Sequence, residues 1–321
     1  MTSRLRVALL AGGRSSEHDV SLASARSVLE ALAPERYEVT EIAIGRDGRW
    51  GVDGDTLSAL AAFDVVLPIL HGPFGEDGTV QGLLELADVA YIGAGVAASA
   101  LAMDKDLFKK VMRDSGIPVA RHHTIRLGDP VENPIGYPVF VKPARLGSSV
   151  GITRVNDASG LDAAVALARR HDEKVLVEEL VTGMEVECGV LGNRVPPPVA
   201  SLPGRIDTLG REWYDYASKY DEGGMELVVP PELAPETIEL VRRRAVDAFV
   251  ASECEGMARV DFFVRDDGEV VVNELNTIPG FTATSVYAKL FDASGVLYGE
   301  LLDRLIALAL ERHERRSHLE F

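Results

Sequence analysis

Short apolar runs alternate with stretches of helical period through the first hundred or so residues. Val7–Ala11, Tyr37–Ile44, Val65–Leu70 and Tyr91–Ile92 read as strands, and Val20–Leu32 and Val80–Ala87 as helices. That alternation predicts an α/β layer built on an open sheet. A helix over Lys105–Arg113 stops at Ser115-Gly116 with Pro118 beyond, which marks a boundary. From Ile117 to Glu187 the order reads strand, glycine-rich turn, strand, helix, strand. After Cys188 the pattern loses its period as far as Val228, where Gly, Pro, Asp and Tyr dominate, and a long loop is expected. A helix over Pro235–Ser252, a hairpin over Ala258–Asn276, a glycine turn and a helix over Val296–Arg312 complete the chain. The expected lobes are residues 1–116, 117–187 and 188–321.

Charge narrows the partners. Fifty acidic residues face 33 basic ones, a net charge of −17. Such a surface repels nucleic acid and anionic membranes, so any bound polyanion must meet a local cluster of Lys and Arg. Cys188 and Cys254 cannot make a disulfide framework, and neither belongs to a CxxC pair. No run approaches a membrane span, and Gly12-Gly13-Arg14 cuts the first apolar run too early for a signal peptide. A cytosolic protein is expected. The charged tail Glu311–Phe321 reads as a solvated helix end without a function.

Candidate chemistry begins at the hairpin. Asp267-Gly268 is a strong two-residue turn signal between β-rich arms. With that turn, Asp261 faces Glu274 and Arg259 faces Asn276, all on one side of the sheet. Opposed β-carbons lie about 4.5–5.5 Å apart, so the two carboxylates repel unless a cation lies between them. Two carboxylates and an amide suit Mg²⁺. The bland alternative is a solvated polar face, but Val260, Phe262, Val264, Val271 and Leu275 already supply an apolar face on the other side.

Gly147-Ser148-Ser149-Val150-Gly151 offers backbone N–H groups that can wrap phosphates, with Lys142 one strand-end upstream. A purely structural hairpin turn is its serious rival. The same five residues match the hydrolase G-x-S-x-G elbow, but that elbow needs a helix next, and Ile152-Thr153-Arg154-Val155 reads as strand. Neither a P-loop nor the G-x-G-x-x-G fingerprint is present. Glu178-Glu179 interrupts an apolar run and either meets a ribose or adenine or lies at an exposed edge. Arg14-Ser15-Ser16-Glu17-His18-Asp19 and His71-Gly72-Pro73-Phe74-Gly75-Glu76-Asp77-Gly78 come directly after buried strands. They are either helix caps with a loop histidine or the turns at which open α/β sheets bind ligands.

Together these residues closely resemble the D-alanine–D-alanine ligase family of the ATP-grasp superfamily. The likeness runs in order from Ala11-Gly12-Gly13-Arg14-Ser15-Ser16-Glu17 to Asn276-Thr277-Ile278-Pro279-Gly280, with Ser285 beyond. Between them fall His71-Gly72, Gly75-Glu76-Asp77-Gly78, Met103-Asp104-Lys105, Lys142-Pro143, the Gly147–Gly151 turn and Tyr214-Asp215-Tyr216 with Lys219-Tyr220. It implies a three-lobed α/β fold, with an N-terminal open sheet domain and ATP clamped between the central and C-terminal lobes. It further implies a cytoplasmic homodimer serving peptidoglycan precursor synthesis.

By resemblance, Asp261, Glu274 and Asn276 are the ligands of two Mg²⁺ ions, with Mn²⁺ as the alternative. Lys105, Lys142 and Lys219 meet phosphates, and the Ser148-Ser149 turn closes over them. Glu178, Glu179, Val181 and Glu185 contact adenosine, some through backbone atoms. Glu17 anchors the first D-alanine's ammonium, with Ser148 and Tyr220 as its hydrogen-bonding partners and His71 nearby. Arg259 and the Gly280 backbone hold the reacting carboxylate and its oxyanion, and Ser285 receives the second substrate's carboxylate. Two departures stand out: Ala288 comes after Tyr287 where proline is frequent, and Ala217-Ser218 stands where glutamate-alanine is frequent. Tyr220 is typical of dipeptide-forming members, so D-alanine–D-lactate or D-serine ligation is the nearer alternative, and a non-catalytic nucleotide-binding module the remote one. The implied reaction passes through an acyl phosphate that water would destroy, and the unperiodic Ser201–Glu226 stretch is the expected lid.

Overall fold

The computed structural model describes residues 4–207 and 225–320. Its N-terminal strands β1 (Leu5–Gly12), β2 (Tyr37–Ile44), β3 (Val65–Pro68) and β4 (Ala90–Tyr91) form a wholly parallel sheet in the order β2-β1-β3-β4. Helices α1 (His18–Ala31), α2 (Thr56–Leu60) and α3 (Thr79–Leu86) connect them. From Val7 to Ala11, β1 is buried without interruption, as a central parallel strand covered on both faces must be. At its carboxyl end Gly12 has φ +96°, and a Cβ there would collide with the Ile44 carbonyl. Only glycine fits.

Next come α4 (Val96–Met103), which the sequence pattern did not reveal, and α5 (Lys105–Asp114). Asp104 caps α5, its carboxylate accepting from the Leu107 N–H at 3.1 Å. Lys105, Phe108, Lys109 and Met112 form one buried stripe of α5, with Asp106 buried beside it. That is helical spacing, but two of the four positions are lysines. Phe108 and Met112 pack with Ala98 and Ala102 against the third sheet rather than the first.

Strands β5 (His122–Ile125), β6 (Val139–Pro143), β7 (Thr153–Val155) and β8 (Val175–Glu179) make an antiparallel sheet ordered β5-β8-β6-β7, backed by α6 (Leu161–Ala168). The third sheet contains β9 (Met184–Gly192), β10 (Val199–Ala200), β11 (Gly204–Asp207), β12 (Glu226–Val228), β13 (Gly256–Val264) and β14 (Val270–Asn276). Its order is β12-β11-β9-β13-β14, with β10 paired to β9. Helix α7 (Pro235–Ala251) covers it, and α8 (Val286–Ala293) and α9 (Tyr298–Ser317) complete the chain. Leu301, Leu302, Leu305, Ile306 and Ala309 of α9 return to the core beneath β1. No helix among the described residues is long and apolar enough to cross a membrane.

Four expectations change. Residues after Cys188 are not one long loop, because β9 continues to Gly192 and β10, β11 and β12 come after it. The division expected at 187 falls inside β9, all of which pairs in the third sheet. The tail is not wholly solvated: Arg312 is buried, its guanidinium donating to the Tyr91 and Gly93 carbonyls and stacking on the Tyr91 ring. Finally, the hairpin turn is one residue longer than expected. The Arg265 N–H donates to the Glu269 carbonyl at 2.9 Å, and Gly268 sits at φ +85° in a three-residue loop. That longer loop shifts the pairing near the turn to Phe262–Val272, Phe263–Val271 and Val264–Val270. A bulge then leaves Asn273 without a partner residue and restores Asp261–Glu274 and Arg259–Asn276. Val270 and Val272 therefore join Leu275 in the cluster beneath α7, and Val271 is buried outside that cluster.

Candidate active site

A cleft of about 580 Å³ opens between the second and third sheets. Lys105, Lys142, Ser148, Ser149, Glu178, Glu179, Val181, Glu185, Asp261 and Glu274 all line it, so residues far apart in sequence converge there. The glycine-rich turn between β6 and β7 forms one lip. Ser148 and Ser149 both adopt left-handed backbone, φ 52° and 57°, a conformation that costs energy in any residue but glycine and is typical of sites that must present backbone groups. The turn leads into strand β7 and not into a helix, which removes the nucleophile-elbow reading.

Ser148 also reaches beyond the lip. Its hydroxyl donates to Glu17 Oε1 at 2.5 Å, a charge-assisted bond between the second sheet's loop and the start of α1. Glu17 is buried, and the turn that leads from β1 into α1 is held by Ser15, whose hydroxyl donates to the His71 carbonyl at 2.6 Å. Gly72 comes next at φ +72°, and a Cβ there would come within 2.6 Å of Glu17 Oε2. His71 donates from Nδ1 to the Ile278 carbonyl at 3.0 Å and accepts at Nε2 from the Ser24 hydroxyl at 3.2 Å. Burial holds it below the ordinary histidine value against the nearby Glu17 carboxylate, so it serves as a neutral hydrogen-bonding strut.

Sequence reading assigned nothing to Glu76, although it lies in the quoted glycine-rich turn. Its carboxylate accepts from the Gly72 N–H at 2.8 Å and the Ile278 N–H at 3.3 Å, which joins the two strand-end turns. Burial and the adjacent Glu17 push it up to about 8.

On the third sheet, Arg259 grips Asp261 and also pairs with the buried Glu187 at 2.9 Å. The Asn276 amide donates to Asp261 Oδ2 at 2.9 Å, and Lys105 pairs with Glu274 Oε2 at 3.1 Å. Burial alone would lower Lys105, but Glu274 beside it keeps it above the usual lysine value. Among the described residues no three His, Cys, Asp or Glu side chains group as a metal site. Asp261, Glu274 and Asn276 nevertheless stand on neighbouring positions of one sheet face, each carboxylate balanced by a cation, and two carboxylates with an amide are a hard donor set that fits Mg²⁺ with remaining ligands from phosphate.

Glu178 and Glu179 point in different directions. Lys142 at 2.5 Å and Lys109 at 2.9 Å hold the Glu178 carboxylate; burial opposes its ionisation, but the two lysines outweigh it and the carboxyl sits at about 2. Glu179 instead pairs with Arg121 at 2.7 Å and Arg265 at 3.3 Å. Gly280 and Ser285 lie side by side, Ser285 at the N-cap of α8 with its hydroxyl accepting from the Thr282 N–H at 3.0 Å. Ala288 falls in the first turn of α8, where a proline would cost no helical hydrogen bond, so the departure from proline leaves the helix start intact. Lys219, Tyr220, Ala217, Ser218 and most of the expected lid lie outside the described residues.

Comparison with known proteins places this arrangement. A family model described as D-ala D-ala ligase C-terminus matches residues 111–307, and one described as D-ala D-ala ligase N-terminus matches residues 6–61 and 51–94. A D-alanine–D-alanine ligase of Solibacter usitatus is 47% identical over 99% of both chains. Among solved structures, the D-alanine–D-alanine ligase of Coxiella burnetii superposes with a TM-score of 0.86 at 36% identity, covering 98% of this chain and 96% of that one. The VanG D-Ala:D-Ser ligase of Enterococcus faecalis gives 0.85 at 34%, covering 96% and 100%. The Bacillus anthracis D-alanine–D-alanine ligase complexed with ATP gives 0.83 at 28%, covering 97% and 99%.

Proposed function

The chain belongs to the D-alanine–D-alanine ligase family and joins two D-alanines at the expense of ATP, and we propose that it does so through an acyl phosphate, with each group around the cleft taking a distinct role. Glu17 anchors the ammonium of the first D-alanine, and Ser148 fixes the Glu17 carboxylate in place. Lys105 and Lys142 meet the phosphates of ATP, and the adenosine lies along Glu178–Glu185. An oxygen of the first D-alanine's carboxylate attacks the γ-phosphorus, and ADP leaves. The neutral amine of the second D-alanine then attacks the acyl carbon, phosphate leaves, and a proton is released. Arg259 and the Gly280 N–H face the oxyanion formed on the way. Ser285 and the N-terminus of α8 receive the second carboxylate.

Asp261, Glu274 and Asn276 would hold Mg²⁺ or Mn²⁺, as one or two ions, which when bound neutralises charge on the transferring phosphoryl group. A cytoplasmic homodimer working for peptidoglycan synthesis is in keeping with the family resemblance. The observation that carries the mechanism is the convergence of Lys105, Lys142, the strained Ser148-Ser149 turn, Asp261 and Glu274 on one cleft, with Glu17 bonded to its lip. The test is phosphate release from ATP with D-alanine, compared with L-alanine, D-serine and D-lactate. Release with D-alanine alone, yielding dipeptide, is expected. Equal yield with D-lactate or D-serine would transfer the assignment to those ligases, and no release would leave a non-catalytic nucleotide binder.

A further inference from the structure

Beneath the cleft lies a lysine to which that mechanism gives no part. Lys109 has no exposed side-chain surface, stands one helical turn after Lys105 on α5, and pairs with Glu178 Oε2 at 2.9 Å. Its ammonium also donates to the Asn273 carbonyl at 3.0 Å, on the residue that the bulge leaves unpaired beside Glu274. A buried lysine costs several kcal/mol to desolvate, and an aliphatic side chain would fill the same place beside Phe108 and Met112 without that cost. A packing role therefore does not account for it.

Charge balance does. Lys105 is matched by Glu274, and Lys142 by Glu178. Arg259, on the third sheet, is shared between two carboxylates, Asp261 and Glu187, and so has no charge to spare. Without Lys109 these groups would hold three cations against four carboxylates where a polyphosphate must settle. With it the count is even, and around Glu178 and Glu274 three ammonium groups face two carboxylates, a local surplus of one positive charge. We propose that Lys109 is a positioning residue that supplies this surplus charge, engaging Glu178 from below so that Lys142 keeps its attraction for the ATP phosphates, while its bond to Asn273 fixes the bulge that aims Glu274. This rests on Lys105 and Lys142 being the phosphate-binding lysines.

The decisive comparison is ATP against adenosine, which shares the base and ribose but carries no phosphate. Binding of a non-hydrolysable ATP analogue and of adenosine would be measured by calorimetry on the full chain, with thermal melts as a folding control. Lys109→Met is expected to weaken the ATP analogue by roughly tenfold or more, the effect of one unit charge several ångströms away in a partly shielded site, and to leave adenosine unchanged. The double variant Lys109→Met/Glu178→Gln removes both members of the pair and restores the surplus, so its ratio of ATP-analogue to adenosine affinity should return toward wild type. Equal losses for both ligands, or no recovery in the double variant, would overturn the proposal. Should Lys109→Met fail to fold, Glu178→Gln alone decides: it raises the surplus and must tighten the ATP analogue relative to adenosine, and a looser analogue defeats the idea. Wild-type protein that ligates D-alanine but shows none of these differences loses only this inference, whereas wild type that fails to bind the ATP analogue defeats the functional reading beneath it.

Discussion

Arg259 and Asp261 stand two residues apart on the same face of β13, and the guanidinium grips the carboxylate in a fork, Nε to Oδ1 at 2.7 Å and Nη2 to Oδ2 at 2.8 Å. The fork fixes the guanidinium plane before any substrate arrives. A lysine at the same place keeps the charge but loses the planar geometry. Arg259→Lys should lower kcat by roughly a hundredfold, with little change in the KM for ATP, as expected for a group that acts on developing charge. Steady-state kinetics with both substrates checks this, and a variant whose defect is confined to KM would remove Arg259 from the oxyanion.

Glu274 faces Asp261 across the hairpin and balances Lys105. Glu274→Gln should leave the fold intact by circular dichroism while turnover drops by roughly a hundredfold or more, because an amide is a far weaker ligand for a hard cation. A fully active Glu274→Gln enzyme would return this hairpin face to ordinary solvated polarity.

Gly72 sits against the Glu17 carboxylate at a positive φ. Gly72→Ala must either displace Glu17 or distort the turn, so D-alanine affinity should fall by about an order of magnitude or more while ATP affinity is spared. Titrating each substrate separately distinguishes the two. Unaltered D-alanine binding would mean that Glu17 does not hold the ammonium.

Acid stability offers a fourth check. Burial opposes ionisation of Glu178, but Lys109 and Lys142 bring its carboxyl down to about 2 from an ordinary 4.5. A carboxyl lowered in this way stabilises the fold above its unfolded value and loses that contribution as pH falls from about 4.5 toward 2. The melting temperature of Glu178→Gln should therefore depend less steeply on pH across that window than the wild type's. Parallel curves would show that the carboxylate is not preferentially ionised in the folded protein.

Much of this site could be read in the sequence, for reasons that differ by element. The opposition of Asp261 to Glu274 was predicted from a two-residue turn, and it holds, but by two compensating departures. The turn has three residues, and the bulge at Asn273 returns the register. Val270-Val271-Val272 is uniformly apolar, so its pattern carries no information about which valine faces the core. Lys109 and Glu76 escaped notice for a related reason. A lysine on an amphipathic helix and a glutamate in a turn usually face water, and only the packing of distant segments buries Lys109 and turns the Glu76 carboxylate onto two backbone N–H groups. The long irregular reading after Cys188 failed because β10, β11 and β12 are too short for alternation to show.

The bond from Ser148 to Glu17 has one more consequence. One partner lies on the loop that would cover ATP, the other is the residue proposed to anchor the first amino acid, so whatever settles one restrains the other. Two sites joined in this way share a coupling free energy, and linkage requires it to be reciprocal: the factor by which ATP sharpens affinity for the first D-alanine equals the factor by which that D-alanine sharpens affinity for ATP. A chain built like this would discriminate against spending nucleotide on an empty acceptor site, and the Ser148–Glu17 contact would carry a share of that discrimination.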